Sequence, residues 1–134
     1  MKKLFGMLFV IIALSSSLFA GEKSALFVNL TSDEAHRTLM AVQFSTKMHL
    51  KGHSLTIYLN DKGVRLASKA NTQYAEFQAK LAEAIQKGAT VYICPMCMQE
   101  YSIEGATLVE GIKVGNANLL EKAIFADDTT VISW

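Results

Sequence analysis

The apolar positions of this chain change their spacing from one segment to the next, and the spacing sorts the segments into strands and helices. Ala25-Leu26-Phe27-Val28-Asn29-Leu30 is a short, nearly continuous apolar run, which suits a strand buried on both faces. Thr31-Ser32-Asp33-Glu34 then reads as a capping box, with two acids at the positive end of a helix dipole. It predicts a helix to about His49, ended by Gly52, whose apolar stripe is Leu39, Met40, Val42, Phe44 and Met48. Ser54 to Asn60 is rich in β-formers and predicts a second strand. Asp61 to Lys69 contains Gly63 and little periodicity, so a loop is expected. From Asn71 the pattern is clearest: Tyr74, Phe77, Leu81, Ala84 and Ile85 fall at steps of three and four, and Gly88 stands where a C-terminal cap belongs.

Thr90 to Cys94 predicts a third strand. Beyond it the pattern suggests one or two helical turns over Met98 to Ile103 and a strand over Glu110 to Val114. A short helix over Asn118 to Ala126 and a last strand over Thr129 to Trp134 complete the chain. Alternation of this kind implies an α/β fold, a mainly parallel five-stranded sheet between layers of helix. In such folds sites form beyond the carboxyl ends of strands, near a switch in strand order. Cys94 stands at such an end.

The N-terminus changes the picture of where the domain starts. Lys2 and Lys3 precede an apolar run from Leu4 to Leu14, followed by Ser15-Ser16-Ser17-Leu18-Phe19-Ala20 and then polar Gly21-Glu22-Lys23. That is the layout of a signal peptide over residues 1–20, and it predicts a periplasmic mature domain over 21–134. The run of about 11 apolar residues is short of the roughly 20 that span a bilayer, so no stable membrane span is expected after processing. No cysteine follows the run to accept a lipid. Without residues 1–20 the chain keeps 11 basic and 12 acidic residues, a balance that offers no phosphate-binding field and speaks against nucleic acid as a partner. The remaining 114 residues suit one domain with a modest core.

Both cysteines lie in Cys94-Pro95-Met96-Cys97. A disulfide across so short a separation ties down little chain, so the pair is read as chemistry before architecture. A cysteine between a strand end and a helical turn meets unsatisfied N–H groups, which favour the reactive thiolate. Pro95 suits the first helical position, where its missing N–H costs nothing. Cys97 falls on the same face, close enough to attack a sulfur held by Cys94. Such a pair forms a disulfide, carries a persulfide that the second thiol resolves, or binds a soft metal.

Zinc needs four ligands, and there is no second CxxC; His36, His49 and His53 would have to complete a site. Met96 and Met98 would suit Cu(I), but also fill gaps as ordinary methionines. Neither a metal nor a cofactor is expected. A thioredoxin-like oxidoreductase shares the CxxC spacing, but it needs a separate cis-proline and Pro95 is the only proline.

On these residues the chain resembles the DsrE/DsrF-like sulfur-relay family. The resemblance covers the opening strand, the second strand with Gly63-Val64 after it, the helix ending in Gly88-Ala89, the strand Val91-Tyr92-Ile93-Cys94, and Ala126-Asp127-Asp128 before the last strand. Its most specific feature is a cysteine ending the third strand, often with a second at +3. Many members then carry Arg-Gly at +7 and +8, where this chain has Tyr101 and Ser102. The resemblance implies a flavodoxin-like three-layer fold and homo-trimers or homo-hexamers with sites near subunit interfaces. It makes Cys94 the sulfur acceptor, with Cys97 passing the sulfur on, in a sulfur carrier or sulfurtransferase-like protein. Its partners would be sulfur donor and acceptor proteins or small sulfur compounds. The alternatives are a periplasmic thiol-disulfide oxidoreductase and a Cu(I)-binding or interaction domain.

Overall fold

The computed structural model describes residues 23–134; the signal peptide expected over 1–20 lies outside the described residues. Five strands, β1 Leu26–Leu30, β2 Leu55–Leu59, β3 Thr90–Ile93, β4 Lys113–Val114 and β5 Thr130–Ser133, form one sheet in the order β4-β3-β2-β1-β5. Every pairing in it is parallel. The helices between them are α1 Ala35–Leu50, α2 Ala75–Gln86, α3 Pro95–Glu100 and α4 Ala117–Ile124. No helix among the described residues is long and apolar enough to cross a membrane.

The chain steps from β1 to β4 in one direction, then returns to lay β5 on the far side of β1. Right-handed crossovers therefore place α1 and α2 on one face and α4 on the other, giving three layers. The change of face falls between β3 and β4. Cys94 ends β3, so it lies where this topology opens a crevice.

The first face carries the core. Leu26, Val28, Leu30, Leu55, Ile57, Leu59, Val91 and Ile93 point to it in alternation, and Phe77, Leu81 and Ala84 of α2 close over them. The helix expected from Asn71 opens with a 3-10 turn, Thr72–Tyr74, before α2. Gly88 follows its end at φ +100°, a conformation that costs a residue without Cβ nothing.

Two expectations about α1 give way. Thr31 is not a helix cap: its N–H and hydroxyl both donate to the Trp134 carbonyl, at 2.8 and 2.9 Å, so the chain runs on before turning. Glu34 caps α1 instead, its carboxylate accepting from His36 and Arg37 N–H. Of the apolar stripe expected on α1, Val42 is buried and Leu39 and Met48 pack partly against the core, but Met40 and Phe44 are exposed, and the small residues Thr38, Ala41 and Ser45 face inward. The hydroxyls of Thr38 and Ser45 bond carbonyls one turn back, which lets small polar residues pack as core.

The segment expected to be a loop is a buried 3-10 turn, Asp61–Ala67, with Val64, Leu66 and Ala67 fully enclosed. It crosses the end of β1 so closely that a Cβ on Gly63 would lie 2.2 Å from the Leu30 carbonyl oxygen. Only glycine fits there. The helical turn expected from Met98 starts earlier, at Pro95, because Pro95 occupies the first position and Cys94 supplies the cap.

Candidate functional site

Cys94 and Cys97 line one open cleft of about 460 Å³ with Tyr58, Asn60, Asp61 and Tyr101. Both cysteines are free, Cys94 buried and Cys97 half-buried. Strand β3 sets the place of Cys94: its N–H donates to the Leu59 carbonyl at 2.9 Å, anchoring it to the end of β2. Its own sulfur then caps α3, accepting from the Cys97 N–H at 3.3 Å.

The two sulfurs are biased in opposite directions. Burial is the largest influence on Cys94 and would raise its pKa. The Cys97 thiol, the Tyr58 hydroxyl and the N–H groups of Cys97 and Met96 all face its sulfur, and together they hold it below the ordinary thiol value. Cys97 is pushed up, first by burial and then by donation to Cys94; the Asp61 N–H, 3.2 Å from its sulfur, offsets only part of this. Cys94 is thus the more readily ionised thiol of the pair. Tyr58 shares the proton network: burial, and then the adjacent sulfurs, push its hydroxyl well above the usual phenol range, so it remains a donor.

Asp61 serves the site through its backbone. At φ +46° it has left-handed geometry; its N–H reaches the Cys97 sulfur and its carboxylate accepts from the Tyr101 hydroxyl at 2.7 Å. On the Tyr101 ring lies the Arg65 guanidinium, 5.5 Å from the centroid, and Arg65 also pairs with Asp33 at 2.9 Å. Where the resembled pattern carries Arg-Gly, Tyr101 therefore replaces a cation with a hydroxyl. Ser102 keeps φ +52°, the backbone that a glycine adopts freely.

The structure brings Cys94 and Cys97 together as their spacing requires. It keeps the histidines apart from them: His49 faces the carbonyls of His53 and Lys87, and His53 faces that of Ser24. No three His, Cys, Asp or Glu residues gather as a metal site among the described residues. Met96 is 77% exposed on the wall of the cleft. Tyr58 and Asp61, whose donors face the two sulfurs, are positions that the sequence pattern did not single out. The signal for Tyr58 was its place one residue before the end of a strand, but the register Tyr58 opposite Tyr92 is a tertiary fact.

The model of the DsrE/DsrF-like family matches residues 23–132. An uncharacterized protein of Methanocaldococcus jannaschii, MJ0989, is 27% identical over 97 residues, covering 71% of this chain and 85% of its own. Among solved structures, the ychN protein of E. coli superimposes with a TM-score of 0.68 at 14% identity, covering 84% of this chain and 99% of that one. A Methanobacterium thermoautotrophicum protein of unknown function, MTH1491, gives 0.67 at 14% identity, covering 84% and 100%. BT1422 of Bacteroides thetaiotaomicron gives 0.67 at 17%, covering 83% and 95%. At these identities the solved structures establish the shared fold. With nearly all of the described chain matched by the family model, this protein belongs to the DsrE/DsrF-like family.

Proposed function

We propose that this protein is an exported sulfur carrier, sulfurtransferase-like in its chemistry, that accepts sulfane sulfur as a persulfide on Cys94 and passes it on with the help of Cys97. One observation carries the proposal: two free thiols stand side by side in one open cleft, Cys94 biased toward the thiolate by the donors that face it and Cys97 biased toward the thiol by burial and its neighbour. Membership of a family broadly tied to sulfur relay supports the same chemistry. The Cys94 thiolate attacks the outer sulfur of a donor R–S–SH. A bond forms to Cys94, the donor S–S bond breaks, and R–S⁻ leaves.

Loading changes the partner. The sulfur of Cys94 becomes a neutral divalent atom, so Cys97 loses the thiolate that helped keep its proton. An acceptor thiolate then takes the outer sulfur and regenerates Cys94. Otherwise Cys97, its proton released to solvent, attacks the Cys94 sulfur to give a disulfide and hydrosulfide. Export rests on the N-terminal lysines and apolar run, and makes the periplasm the place of action. Assembly as a trimer or hexamer follows the family resemblance, and exposed Phe125 and Val131 would suit burial between subunits.

Intact-mass analysis after exposure to a small persulfide tests the assignment. Cys94→Ser should fail to gain sulfur, whereas Cys97→Ser should load and hold its persulfide longer. Normal loading of Cys94→Ser with loss in Cys97→Ser would reverse the roles, and loading unaffected by either change would end the carrier proposal.

A further inference from the structure

The cysteine cleft is lined by two carboxylates, Asp61 and Glu100, and among the described residues no cation lines it. Lys62, next to Asp61 in the chain, is exposed and does not contribute to its wall. Arg65 lies behind Tyr101: that ring borders both the cysteine cleft and a neighbouring polar cleft of about 330 Å³, and Arg65 borders only the second. Its guanidinium is committed to Asp33 and to the Tyr101 ring. Tyr101 is fixed in turn by its bond to Asp61.

A sulfur donor entering this cleft therefore meets the Cys94 sulfur in a cleft walled by two carboxylates. An inorganic anion such as thiosulfate adds its own negative charge to that field. Transfer also leaves a new thiolate on the departing donor, still inside the cleft. A positive group on the donor offsets both the approach and the departure.

Resting on the assignment of Cys94 as sulfur acceptor, we infer that Asp61 and Glu100 select the donor class: small persulfides that carry an ammonium group, against carboxylate-bearing or inorganic anionic donors. The reacting atoms are those of the loading step. The Cys94 thiolate bonds to the outer sulfur of H₃N⁺–R–S–SH, the donor S–S bond breaks with its electron pair moving to the inner sulfur, and the transferred sulfur keeps its proton. The leaving thiolate departs as a zwitterion with the donor's own ammonium. No oxidant or reductant is needed.

A matched pair of donors isolates the charge: the persulfides of cysteamine and of mercaptopropionate, similar in size and opposite in sign. The rate at which the purified protein gains one sulfur atom, followed by intact mass, should be on the order of tenfold higher for the cysteamine donor at low salt. Added salt should slow that donor, speed the anionic one and so narrow the ratio. Glu100→Gln should narrow it by severalfold, and Glu100→Lys further; Glu100 is exposed at the end of α3, so both variants keep the fold. Equal rates at low salt, a faster anionic donor, or a ratio unmoved by both Glu100 changes would overturn the donor-class inference while leaving Cys94 a sulfur acceptor. Absence of loading from either donor would overturn the carrier assignment and this inference with it.

Discussion

Toward α1 and α2 the three central strands present aliphatic side chains only, Leu26, Val28, Leu30, Leu55, Ile57, Leu59, Val91 and Ile93, all of them buried. Toward α4 these strands and β5 present Phe27, Asn29, Thr56, Tyr58, Tyr92 and Ser133. Here only Phe27 is fully enclosed, its ring 6.4 Å from that of Tyr58, and α4 buries none of its residues completely. Parallel strands are ordinarily apolar on both sides. The departure separates two tasks: the aliphatic face supplies the burial that holds the fold, and the aromatic, polar face supplies a hydroxyl to the cysteine cleft. Asn29 joins this second set, linking Ser133 of β5 to Asn60 after β2, so polar contacts run across the strand ends that lead to the cleft.

If the tasks are separate, damage to one face should leave the other's readout intact. Leu81→Ala opens a cavity under a fully buried residue and should cost about 2–5 kcal/mol in denaturant unfolding. The pH at which Cys94 becomes reactive to alkylation, read in the folded variant, should not move. A shift there would show that the core tunes the thiolate, and the division would fail.

Gly63→Ala lies on the border. Its Cβ would collide with the Leu30 carbonyl, and the turn must lift to make room. A loss of about 1–3 kcal/mol is expected. The displaced turn also carries the Asp61 N–H away from Cys97, so the Cys97 thiol should titrate still higher. Full stability in this variant would refute the close approach.

Tyr58→Phe should be the mildest, costing about 1 kcal/mol or less near neutral pH, yet it should raise the Cys94 pKa. The sign follows by linkage. A thiol whose folded pKa is lowered contributes stability above the unfolded thiol value, and that contribution is lost as pH falls through the folded value. Cys97 acts oppositely: its raised pKa favours the fold below the unfolded thiol value, a benefit lost as pH rises toward its folded one. In Tyr58→Phe the part due to Cys94 should shrink, visible as a flatter rise of stability with pH just below the ordinary thiol range. An unchanged alkylation profile would remove Tyr58 from the site.

How much of this was legible in the sequence varies with how local the cause is. The end of β3 at Cys94 could be read because Val91-Tyr92-Ile93 and Pro95 mark it from both sides. A mainly parallel sheet could be read from alternation alone; that every pairing is parallel came from the structure. Thr31 misled because the group that claims it, the Trp134 carbonyl, is 103 positions away. Tyr58 reaches Cys94 through strand register, and Asp61 acts through a backbone N–H, which any residue type carries. The small-residue face of α1 hid for another reason: Thr38 and Ser45 look polar until their hydroxyls are satisfied within the helix.

The cap on α3 ties a piece of backbone to the electronic state of one atom. Whatever turns the Cys94 sulfur from an anion into a neutral divalent centre, be it alkylation, a disulfide or an added sulfur, weakens the acceptor that the Cys97 N–H now meets at 3.3 Å. A six-residue helix has little else to hold its first turn. Its amide protons should then exchange faster with solvent in the modified protein than in the free thiolate, so the fraying of α3 becomes a gauge of occupancy that any partner resting on this rim would feel.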